Sequence, residues 1–144
     1  MANATQLKFG YPDTLIMEYK HWCVLLRMQQ PTLGSLVLIC TEEETAFSQI
    51  SQDAFNELKT VTQEIESNLD SFRNFEKINY LMLMMVDPNV HFHVLPRYSS
   101  VQTFDGCDFP DNGWPAAPDL GANINLDNGL LLPLLSEMKR VWSQ

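Results

Sequence analysis

The chain of 144 residues has the size of one domain, and with 45% hydrophobic and 19% charged residues it has a globular composition, not a disordered one. Nine Lys and Arg against 18 Asp and Glu give a formal charge of -9, which argues against clamping of nucleic acid by a basic surface and leaves a small anion only a locally positive pocket. No apolar run approaches the ~18 residues of a membrane span, and the first residues lack the basic flank and apolar core of a signal peptide, so a cytoplasmic protein without a membrane partner is expected.

Leu15 to Tyr19 and His21 to Met28 mix aromatic and β-branched residues over strand lengths, and the segment Gln30-Pro31-Thr32-Leu33-Gly34 breaks the run. They predict two successive strands. Ser35 to Cys40 is nearly continuous in apolar residues and predicts a third, buried strand, closed by Thr41 to Glu44. From Ser51 the period changes: Phe55, Leu58, Val61, Ile65, Leu69 and Phe72 recur at three and four, which predicts an amphipathic helix of about five turns capped by Ser51 or Asp53.

Lys77 to Val86 and Asn89 to Pro96 then read as two strands joined by a tight Asp87-Pro88 turn, an antiparallel hairpin. Met82, Met84 and Met85 suit core packing, since no Cys or His is interleaved with them as a soft-metal site needs. Residues 99–129 are rich in Pro, Gly, Asp and Asn and predict a long loop, and 130–142 a final helix with Lys139 and Arg140 near its end and Pro133 in its first turn. The core is thus expected over about 15–98 of one domain spanning 1–144. Cys23, Cys40 and Cys107 form neither a zinc spacing nor a disulfide framework.

Two of the three histidines, His91 and His93, stand two apart in a strand-like segment. Strand alternation predicts one face with Asn89, His91, His93 and Leu95 and an apolar face with Val90, Phe92, Val94 and Pro96. Near neutral pH an imidazole can be an unprotonated nucleophile while a neighbour donates a hydrogen bond to an anion, and a phosphoryl centre suits that pairing. Arg97 adds a charge just beyond. Two other readings stay open at this point: sheet histidines satisfied by backbone or solvent, and a metal pair completed by His21 or Asp87.

The stretch Asn89-Val-His-Phe-His-Val-Leu-Pro-Arg97 resembles the signature strand of the histidine-triad (HIT) family, three histidines alternating with apolar residues and often followed by Pro-Arg. The order of elements from about Leu15 to Tyr98 is similar to that family as well. The resemblance, which leaves roughly the last third of the chain uncovered, implies an α+β fold with a five-stranded antiparallel sheet, to which the residues themselves add the long amphipathic helix and the C-terminal helix. It implies a homodimer that hydrolyses or transfers a nucleoside monophosphate through a nucleotidyl-histidine, acting on a mononucleotide or dinucleoside polyphosphate without cofactor or metal.

Carried over by position, His91 matches the nucleophile and His93 the third histidine, and Asn89 stands where the first histidine belongs. An amide can donate a hydrogen bond there but cannot titrate. Arg27 falls near the family's ribose-contacting position, differing in type, and Arg27 and Arg97 are candidate substrate-binding residues. The Gly- and Gln-containing loop that usually precedes the motif is Val86-Asp87-Pro88 here, and the usual His after the third strand's glycine is Ser35. These departures keep a second reading beside the enzyme: a nucleotide-binding or interaction domain on the same fold without turnover. Trp114 and Trp142 are large enough to stack on a base but suit packing better.

Overall fold

In the computed structural model, which describes residues 1–144, the elements in chain order are α1 (Ala4–Lys8), β1 (Leu15–Glu18), β2 (Trp22–Leu26), β3 (Gln29–Gln30), β4 (Leu36–Cys40), α2 (Gln52–Phe72), β5 (Lys77–Leu81), β6 (His91–Arg97), β7 (Gln102–Phe104), β8 (Cys107–Phe109), β9 (Ile124–Asn125) and α3 (Leu131–Trp142). Five strands form one sheet in the order β1-β2-β4-β6-β5, and every neighbouring pair is antiparallel. The α+β class, the five-stranded sheet, the long helix and the C-terminal helix all meet the expectation.

The sheet is covered on both faces, which is why β2 and β4 read as unbroken apolar runs and not as alternation. On one face Trp22, Val24, Leu26, Leu36 and Leu38 pack with Val61, Ile65 and Leu69 of α2 and with Leu134, Met138 and Val141 of α3. On the other, Cys23, Leu25, Val37 and Ile39 pack with Leu15 of β1 and are covered by Phe9 and Tyr11 from the N-terminal segment. Burial pushes the Cys23 and Cys40 thiols up to about 12 and about 11, so they pack as small hydrophobes.

Helix α2 begins at Ser51, whose hydroxyl accepts the Ala54 N–H at 3.1 Å. Its apolar stripe of Ala54, Val61, Ile65, Leu69 and Phe72 is buried, and the Trp22 indole donates to the Ala54 carbonyl at 2.7 Å, tying the helix to β2. Gly34, at φ 93°, opens β4 in the left-handed region that the turn requires; a Cβ there would meet Met138, Pro96 and Leu69 only at ordinary contact distances of 3.4–3.6 Å, so the backbone conformation and not crowding calls for glycine.

Three segments differ from the expectation. Residues 4–8 are helical, closed by a reciprocal cap in which Asn3 Oδ1 accepts the Gln6 N–H and Gln6 Oε1 accepts the Asn3 N–H, each at 2.9 Å. The β5–β6 pair is antiparallel but not a tight Asp-Pro hairpin: β5 ends at Leu81 and β6 begins at His91. Residues 82–88 loop out, with Met84 at φ 53° and Leu83, Met85 and Val86 facing solvent, since the β5 ladder ends at Leu81, and the chain returns to the core at Asn89 and Val90. The 99–129 region holds a β7–β8 hairpin turning at Asp105-Gly106, both at positive φ, and β9, which pairs with β3. No helix is long and apolar enough to cross a membrane.

Candidate functional site

Strand β6 sets His91 beside Ile39 and His93 beside Val37 on the sheet face that the N-terminal segment covers. The two rings stand 5.3 Å apart, nearly perpendicular. His91 Nδ1 lies 2.7 Å from the Asn89 carbonyl oxygen. A carbonyl only accepts, so this contact assigns the hydrogen to Nδ1 and leaves a lone pair on Nε2. His93 has the opposite tautomer, for its Nδ1 accepts the Arg27 Nε–H at 3.4 Å and the hydrogen therefore sits on Nε2. Neither Nε2 has a protein partner, and every polar side-chain atom sealed from solvent does have one, so both nitrogens reach the cavity beside them.

That cavity, about 290 Å³, is lined by the two histidines, Lys8, Phe9, Arg27 and residues 83–87. Phe9 roofs it with its ring 5.9 Å from His91 and 5.6 Å from His93, leaving the histidines 2% and 6% exposed. Its charged groups are two cations, Lys8 and Arg27, against Asp87, which lies 3.9 Å from the Lys8 ammonium. Burial, then the Arg27 and His91 charges, push His93 down to about 4, so it is neutral near pH 7. A second cavity of about 350 Å³ adjoins across Phe9 and Arg27 and reaches Gln29, Asn125 and Asp127.

The other expected site residues lie elsewhere. Asn89 precedes the strand instead of continuing its row, and its amide is taken up by the N-terminal segment: Oδ1 accepts from Thr5 N at 3.2 Å and Thr5 Oγ1 at 3.0 Å, and Nδ2 donates to the Glu43 carbonyl at 3.1 Å. Arg97 shares the histidines' face but sits at the far end of β6, where it pairs with Asp111 at 2.7 Å and donates to Asn79 and the Ala116 carbonyl. Ser35 closes its own turn by donating to the Thr32 carbonyl. His21 meets Glu42 at 3.4 Å, and no three His, Cys, Asp or Glu side chains are gathered as a metal would need. Lys8, Phe9 and Thr5 are the residues that the sequence does not point to; its one signal is the Asn3-x-x-Gln6 cap.

A family model described as HIT domain matches residues 9–100. No curated protein matches the sequence. Among solved structures, a histidine triad protein from Sinorhizobium meliloti is similar over 94% of this chain and 91% of its own, at 16% identity and a TM-score of 0.72. A Plasmodium falciparum diadenosine triphosphate hydrolase is similar over 92% of this chain and 76% of its own, at 9% identity and a TM-score of 0.61. The C. elegans NitFhit protein is similar over 90% of this chain, at 13% identity and a TM-score of 0.66, but this chain covers 27% of that one. At such identities the likeness concerns the fold.

Proposed function

The chain belongs to the HIT domain family, and from that premise we propose that it binds a nucleotide in the His91–His93 cavity and cleaves a phosphoanhydride bond through a nucleotidyl-histidine. The lone pair of His91 Nε2 attacks the α-phosphorus; a P–N bond forms while the bridging P–O bond breaks, and the departing phosphate keeps the electron pair. His93 Nε2–H donates to a non-bridging oxygen, and Lys8 and Arg27 offset the anionic charge. Water or a second nucleophile then attacks phosphorus, the P–N pair returns to Nε2, and the attacking group's proton is released to solvent.

The observation that carries this reading is the opposed pair of tautomers, a lone pair on one Nε2 and a hydrogen on the other, beside one cavity. It also narrows the bond class. Asn89 cannot titrate and its amide is engaged, and His93 at about 4 is not a cation near pH 7, so neither supplies a proton to a leaving amine or alkoxide. Leaving groups that depart as stable anions suit the site. The partners that go with this reading are a mononucleotide or dinucleoside polyphosphate and, as a homodimer, a second copy of the chain, in a cytoplasmic setting.

The test is turnover of diadenosine polyphosphate beside adenosine phosphoramidate. The anhydride should be cleaved and the amidate spared, and His91→Ala should bring cleavage to background. Unchanged turnover in His91→Ala would end the proposal. The burial of both imidazoles under Phe9 favours a second reading, nucleotide binding without turnover. Calorimetric binding of AMP with no cleavage of either substrate would select it.

A further inference from the structure

A larger cavity, about 570 Å³, opens on the same sheet face beyond the histidines, bounded by Lys77, Asn79 and Leu81 of β5, Arg97 of β6 and residues 114–118. Its near end adjoins the site, because Leu81 is the strand partner of His93. Its far end is at the Lys77–Arg97 pair, four residues along β6, or about 13 Å at ~3.3 Å per residue. Trp114 walls it. Unlike Trp22 and Trp142, this indole packs against no part of the hydrophobic core, and since no sealed polar side-chain atom lacks a partner, its N–H, which makes no hydrogen bond within the chain, is open to solvent. Pro115, Ala116, Ala117 and Pro118 continue the wall without a charge.

The polar rim is made of donors. Arg97 is 3% exposed and is built in: of its five N–H groups, Nε and one Nη2 hydrogen go to Asp111, the other Nη2 hydrogen to the Ala116 carbonyl and one Nη1 hydrogen to Asn79 Oδ1. One Nη1 hydrogen is left over. Asn79 spends its acceptor on Arg97 and keeps its amide N–H₂, and the exposed Lys77 ammonium faces solvent. An aromatic wall with a donor rim fits a flat ring that carries acceptors on its edge.

We propose that this cavity is a second subsite, which takes a purine base between the Trp114 wall and the Lys77–Asn79–Arg97 rim, and that in a dinucleotide substrate it holds the base of the departing nucleotide. The second half of the statement rests on the function proposed above; binding of a base does not.

The test is titration of the full chain with GMP, followed by tryptophan emission. Saturable quenching is expected in the wild type and in Trp142→Phe, and none in Trp114→Phe. Lys77→Ala, which alters an exposed side chain, should raise the Kd about tenfold and so guards against a misfolded Trp114 variant. Quenching that persists in His91→Ala supports the subsite even where turnover is absent. No quenching in the wild type, or equal quenching in Trp114→Phe, overturns the subsite even where His91-dependent turnover is intact.

Discussion

The Asn89 amide accepts from the Thr5 N–H and hydroxyl and donates to the Glu43 carbonyl, and the Asn89 N–H donates to Thr5 Oγ1 at 2.9 Å. Both side chains are buried, so Asn89→Ala leaves two sealed donors, the Thr5 N–H and hydroxyl, without their acceptor; a loss of about 2–4 kcal/mol in urea unfolding is expected. A loss under 1 kcal/mol would show that the contact is not structural. His93 carries a pH prediction. Its folded pKa, about 4, lies below its ordinary value of 6.5, so the folded state resists protonation there. The stability linked to it is whole above about 6.5 and is lost as pH falls from there toward 4. Melting temperatures measured across that window should fall less in His93→Gln than in the wild type; parallel curves would contradict this. The two histidines were legible in the sequence because strand alternation fixes which residues share a face. The fate of Asn89 was not, since its partner Thr5 lies at the far end of the chain.

Among the elements, α2 was the most legible, since a capping serine and an apolar period at three and four both come from the local chain. Replacing Ser51 by Ala removes the hydroxyl that accepts the Ala54 N–H, and a cost of about 1 kcal/mol in thermal unfolding is expected. Helix α1 was hidden because five residues show no period, and its placement depends on long-range contacts: Asn3 Nδ2 donates to the Cys40 carbonyl at 2.8 Å, and Thr5 meets Asn89. Together these hold Phe9 over the imidazoles. Phe9→Ala should therefore raise the rate at which diethylpyrocarbonate modifies His91 at least fivefold, read by peptide mass. An unchanged rate would mean that access runs past the 83–87 loop instead. That loop was misread as strand because apolar residues alone set neither pairing nor register; β5 stops where its ladder to β6 stops, at Leu81 and His93.

At the scale of the molecule, a formal charge of -9 surrounds a cavity with two cations and one carboxylate. An approaching nucleotide polyphosphate meets the repulsive body first, over about 10 Å at 0.1 M salt, and feels Lys8 and Arg27 only when nearly docked. Salt screens the long-range repulsion of the whole body more than the short-range attraction of cations within contact distance of the docked anion. Association measured by stopped flow should thus quicken from 0.01 to 0.2 M NaCl, while dissociation changes little. Lys8→Gln should slow association at every salt concentration and leave the upward trend in place, because the ammonium acts locally and the acidic body does not change. A rate that falls with salt would mean that the field at the cavity mouth is positive despite the total charge, and the exposed Lys77 along the same sheet face, unlike Arg97 with its Asp111 partner, would then be the first cation to neutralise.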